Sequence, residues 1–129
     1  MHSMAELVEE IERSEKPLVE LYRQIEDAAV TSTEKKLASQ MYHYQRFQVA
    51  SLELLKSDVP EEFLCFGAVV DEDVNLRQGP GPKHSLVKKV GKGTPVIVMK
   101  YEGNWAHVRL PDATQGFIFR AYVKCEMGA

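Results

Sequence analysis

Two cysteines and four histidines are the side chains of this sequence best suited to hold a metal or carry a reaction. Cys65 and Cys125 lie far apart, with no C-x-x-C pair and no histidine cluster beside them. They lack the two further ligands that a tetrahedral zinc site needs. His2, His43, His84 and His107 are scattered, and no acid or base partner is readable beside His84 or His107. The chain has no glycine-rich phosphate loop and no nucleophile elbow. These residues predict no catalytic site, no metal site and no cofactor, so the protein is expected not to be an enzyme.

The elements that position these residues differ between the two halves. From Phe66 to Val123 the chain alternates short β-branched and aromatic runs with turn residues. Val74-Asn75-Leu76-Arg77 runs into Gly79-Pro80-Gly81-Pro82, a strand entering a loop that cannot continue it. Pro95-Val96-Ile97-Val98-Met99, Gly103-Asn104-Trp105-Ala106-His107-Val108-Arg109, Gly116-Phe117-Ile118-Phe119 and Tyr122-Val123 follow. Many short strands at such spacing predict a small barrel with Val96, Val98, Val108 and Ile118 in its core. The order of these motifs resembles a bacterial SH3 domain, over about residues 66–125.

That resemblance implies a binding module for a peptide or protein partner, a cell-wall peptide among the candidates. In SH3-type folds the long early loop borders the ligand groove. Here that loop and its exit carry Lys83, His84, Lys88 and Lys89, and the other wall is expected from Tyr101, Trp105, Phe119 and Tyr122. An aromatic floor with a basic rim suits an acidic or extended peptide. Trp105 fits a core position as well as a ligand platform. Cys65 and Cys125 flank the barrel, whose ends are expected to lie close together. They would bridge in an oxidising compartment and stay reduced in the cytoplasm, and both outcomes are open at this point.

Residues 4–58 read as a helical hairpin. Leu7, Ile11, Leu18, Leu21, Ile25 and Ala28 recur at helical spacing. Pro17 interrupts them, and an interior proline costs about 3 kcal/mol. The sequence therefore predicts a short helix near residues 4–13, then Ser14 as N-cap of a continuation to about Ala29. Thr31 and Glu34 have the spacing of a capping box before a second helix, about residues 33–57, with Leu37, Met41, Tyr44, Leu52 and Leu55 on one side. Pro60 ends the helical part, and Phe63, Leu64 and Phe66 are expected to pack between the two units as a short connection. Two antiparallel helices bury one seam, so this apolar surface wants another layer. Pairing of two hairpins into a four-helix bundle, a homodimer, is the expected solution.

Glu20-Leu21-Tyr22…Glu26 followed by Gln40-Met41-Tyr42-His43 resembles half of a ferritin-like, rubrerythrin-type bundle. That likeness implies a metal or redox site using Glu20, Glu26 and His43. Gln40 stands where the second glutamate belongs, and a neutral amide cannot bridge two cations as a carboxylate does.

At 44% apolar and 27% charged residues the composition is that of a globular protein. Residues 1–64 carry seven Lys/Arg against thirteen Asp/Glu, and residues 65–129 carry nine against six. Charges of −6 and +3 support two units with separate surfaces, and +3 is too small to argue for nucleic acid. No apolar run reaches the roughly 18 residues of a membrane span. Neither nucleic acid nor membrane is an expected partner. No signal peptide is visible, so the cytoplasm is the expected compartment, with the periplasm or cell envelope as alternative if a leader was removed. The expected architecture is α+β: a helical hairpin, then an SH3-like β-barrel.

Overall fold

A computed structural model describes residues 2–56 and 59–128, the last three as backbone. It divides into two compact units, Met1–Lys56 and Ser57–Ala129. The expected end of the helical part at Ser57 and Asp58 lies outside the described residues. Among the described residues no helix is long and apolar enough to cross a membrane.

The first unit is the expected hairpin, of α1 (Met4–Ala28) and α2 (Ser32–Ser51), closed by a 3-10 turn over Leu52–Leu55. Thr31 Oγ1 accepts from the Glu34 amide at 3.1 Å, and the Glu34 carboxylate accepts from the Thr31 amide at 2.9 Å. The capping box is therefore formed, and the Thr31 amide first, then the Thr31 side chain and the Val30 amide, hold the Glu34 carboxyl below its usual range. The predicted break near Ser14 is not there. The cap of α1 is Ser3, which accepts from the Glu6 amide, and the helix continues through Pro17. Pro17 forfeits one backbone hydrogen bond, but the turns on both sides of it pack on α2, which holds the helix together where local propensity would end it.

The stripe expected from periodicity is displaced by one residue from the seam. The α1 side chains turned toward α2 are Val8, Glu12, Glu15, Val19, Tyr22 and Glu26, whereas Leu7, Ile11, Leu18, Leu21 and Ile25 stay exposed. The seam is partly polar. Glu12, only 5% exposed, accepts from Lys56 Nζ at 2.7 Å, and Gln45 Nε2 donates to Glu15. Lys56 above all holds the Glu12 carboxyl below its usual range, against the opposing pull of burial.

The second unit is a seven-stranded antiparallel sheet in the order β3-β2-β6-β5-β4-β1-β7. Its strands are β1 (Cys65–Val69), β2 (Val74–Arg77), β3 (Leu86–Val90), β4 (Pro95–Glu102), β5 (Trp105–Arg109), β6 (Gln115–Phe119) and β7 (Val123–Gly128). Val96, Val98, Val108 and Ile118 are fully buried, as expected, and Leu76 and Ala106 join them. Val96 and Val98 on β4, and Ala106 and Val108 on β5, reach this core from alternate positions, and Ile97 between the two valines is buried as well.

β1 and β7 close the chain on itself. Gly67 sits at a bulge where β1 meets β7, and a Cβ there would run into the Lys124 carbonyl. Cys65 and Cys125 are bridged, with Cα atoms 5.9 Å apart.

Two measurements test this account. The bridge spans 60 residues, for which chain entropy predicts roughly 4 kcal/mol. Reduction should lower the urea-unfolding free energy of the barrel by about 2–4 kcal/mol, and unchanged stability would refute the bridge. Because the Glu12 pKa is depressed, its contribution is complete at neutral pH and lost as pH falls through the folded-state value. Helical ellipticity should therefore be less stable to urea at about pH 3 than at pH 7. Glu12→Gln should narrow that gap, and an identical gap would refute the assignment.

Candidate ligand cleft in the barrel

The cleft begins with the turn between β1 and β2. Asp71, Glu72 and Asp73 are all exposed there, and Asp71 Oδ1 accepts from the Glu72 amide at 2.8 Å. Asp73 adopts φ 49°, a left-handed conformation that aspartate tolerates better than most residues and that swings the chain into β2. β2 then contributes Val74, Asn75 and Arg77.

The opposite wall is aromatic. β5 and β6 pair in a register that sets Trp105 opposite Phe119, edge to face, with ring centroids 5.6 Å apart. Phe119 continues to Tyr122 at 5.6 Å, on the 3-10 turn Arg120–Tyr122. The Arg120 amide donates to the Asn104 carbonyl, tying that turn to the β4–β5 hairpin. The three rings form one row, with Phe119 and Tyr122 exposed and Trp105 half-buried. Between the row and the acidic turn lies a cavity of about 500 Å³, which Pro82 and Asn104 also line. That is the size of a ligand pocket.

Electrostatically the cleft presents acceptors. Three carboxylates edge it, and Asn75 Oδ1 is buried with no hydrogen-bond partner among the described residues. The one cationic lining residue, Arg77, donates to the His84 carbonyl at 3.0 Å. One of its five N–H donors thus serves to hold the Gln78–Ser85 loop.

Three of the eight expected ligand residues converge here: Trp105, Phe119 and Tyr122. Five do not line the cavity. Tyr101 packs against the core, its hydroxyl 3.6 Å from Cys125 Sγ and its ring 3.8 Å under the Arg120 guanidinium. The His84 ring folds onto Gly79, where an added Cβ would lie 2.5 Å from it, so this histidine braces its own loop. Lys88 pairs with Asp112 at 3.1 Å. The Asp112 carboxyl is pulled down to about 2, by the Thr114 amide first and Lys88 after it. Lys83 is exposed on the loop and Lys89 on β3, the outermost strand. The expected basic rim is thus an acidic one, because the β1–β2 turn faces the aromatic row and β3 carries its lysines elsewhere. Asp71, Glu72, Asp73, Asn75 and Asn104 also line the cavity, beyond the residues expected from the sequence. Their one readable signal was the run of three acids directly before Val74.

His107, Glu20 and His43 have other surroundings. His107 stacks on Phe117 with centroids 4.6 Å apart, and burial pushes its pKa down. Arg23 holds the Glu20 carboxylate at 2.6 Å, and His43 lies exposed beside Tyr42. Among the described residues no group of three or more His, Cys, Asp or Glu is placed to hold a metal ion.

No curated protein matches the chain. Residues 72–124, from the acidic turn through β6 to the start of β7, match the family model of the bacterial SH3 domain, and the chain therefore carries a bacterial SH3 domain over that span.

Proposed function

We propose that this chain is a non-catalytic interaction protein. Its barrel holds an extended peptide carrying a cationic group, and its hairpin pairs chains. The observation that carries the reading is the row Trp105, Phe119 and Tyr122 facing Asp71, Glu72 and Asp73 across one cavity. Flat rings supply apolar contact and a negative π face, worth about 0.5–2 kcal/mol to a cation lying on it. The carboxylates steer and orient that cation, and Asn75 adds an acceptor that a ligand N–H can satisfy once the amide turns. A basic peptide segment meets this description, and so does a cell-wall peptide with a free amine.

The ligand charge is opposite to the one expected from Lys83, Lys88 and Lys89, since those side chains do not reach the cleft. The engagement of His84 with its loop and of His107 with Phe117 supports a binding role over a catalytic one. The Cys65–Cys125 bridge favours an oxidising compartment, the cell envelope, over the cytoplasm.

Trp105 is the only tryptophan, so its fluorescence reports on the cleft directly. Titrating the full chain with two capped hexapeptides that differ only in Lys versus Glu should show saturable quenching by the Lys peptide alone. Phe119→Ala should weaken that binding about tenfold or more. Asp71→Asn with Glu72→Gln and Asp73→Asn should weaken it about tenfold, and Lys83→Ala should leave it unchanged. Equal binding of the Glu peptide would remove the charge assignment, and no binding of either would remove the cleft as the site.

A further inference from the structure

Each helix of the hairpin carries two adjacent heptad stripes, and on α1 the exposed one is the more apolar. On α1 the seam positions Val8, Glu12, Glu15, Val19, Tyr22 and Glu26 step by four and three, and three of the six are glutamates. One residue earlier, Leu7, Ile11, Leu18, Leu21 and Ile25 repeat the same steps, interrupted only at Ser14, and all five are exposed. On α2 the seam holds Ala38, Tyr42, Gln45 and Val49, while Leu37, Met41, Tyr44 and Gln48 are exposed, so that three of the four exposed positions carry apolar or aromatic side chains.

These stripes share a face. In a right-handed helix the preceding residue lies about 100° around the axis. For two antiparallel helices that rotation, viewed down one axis, carries both stripes to the same side of the hairpin. A groove of about 530 Å³ opens on that side, lined by Tyr22, Leu37, Met41 and Tyr44 together with three glutamines. A helix with one apolar stripe has one neighbour, and a helix with two belongs to a bundle.

We propose that a second copy of this chain covers this face, its α2 lying along this chain's α1 in a two-fold four-helix bundle. The proposal rests on the self-association put forward above and specifies its surface and pairing. Charge selects the occupant. α1 carries eight Asp/Glu and three Arg/Lys, net −5, and α2 carries one against three, net +2. Packing α1 beside the partner's α2 alternates sign around the bundle, whereas α1 on α1 sets two acidic helices together. A two-fold axis uses the same patch twice, and a patch holding one acidic and one basic helix is its own complement. A membrane surface is a poor occupant, since amphipathic helices bind anionic lipid through basic flanks and α1 is acidic.

The full chain, oxidised and at about 50 µM, should sediment at twice 14.6 kDa. Leu21→Glu and, separately, Met41→Glu should give the single mass with helical ellipticity intact. A buried unpaired charge should weaken the pair by at least about 100-fold. Lys35→Glu with Lys36→Glu takes α2 from +2 to −2 and should weaken it about tenfold at low salt, with the difference shrinking in 0.5 M salt. A single mass for the unaltered chain would overturn both self-association and this surface. A double mass that survives Leu21→Glu and Met41→Glu would overturn the surface and leave self-association standing. Undiminished pairing after the double lysine reversal would overturn the α1-on-α2 arrangement.

Discussion

The pairing of β5 with β6 is the constraint on which both the core and the cleft depend. It sets Ala106 beside Ile118 inside the barrel and Trp105 beside Phe119 on the outside, within two adjoining rungs. Side chains alternate along a strand, so a slip of one residue would put the aromatic pair into a core built from valines and isoleucine and leave Ala106 in the cleft. Glycine at 116 keeps the pairing close on the β2 side, where a Cβ would press on Leu76 at 2.7 Å. The row of rings is therefore a product of the same register that builds the interior.

What was legible in the sequence is what local chemistry decides. The strand runs show in their β-branched alternation, and Thr31 and Glu34 form their box because both partners lie within one turn. Residues deciding matters over a distance were harder to read. Pro17 marks a break by propensity, yet contacts with α2 on both sides keep the helix whole. Leu7, Ile11 and Leu21 outshine Glu12 and Glu15 in hydropathy, so periodicity finds the stripe and misses the seam one residue away. Chain order sets Lys88 and Lys89 beside a loop that borders the groove in SH3-type folds, but they stand on the edge strand β3, and Lys88 is held by Asp112. Asp71, Glu72 and Asp73 carry no local mark of a site, because only the turn into β2, with Asp73 in a left-handed conformation, brings them to one cavity with rings more than thirty residues downstream.

The two units answer the same problem differently. The barrel closes its own core, with ten aliphatic or sulfur side chains besides Ile118 sealed together. The hairpin joins its helices through a seam in which glutamates, a glutamine and a lysine satisfy one another, and it shows its leucines outside. A buried ion pair gives little net stability, but a broken one is costly, so such a seam fixes which faces meet more than how strongly they hold.

The covalent tie between Cys65 and Cys125 joins the first residue of β1 to the last strand, outside or at the edge of the span that matches the family. Tension applied along the polypeptide from before residue 65 to beyond residue 125 therefore travels through sulfur and bypasses the residues between. While the tie is intact, the sheet between the two cysteines bears none of that load, and the cleft beside Trp105 and Phe119 keeps its shape under a pull applied from both sides. Once it is reduced, the same pull meets the hydrogen bonds between β1 and β7 first.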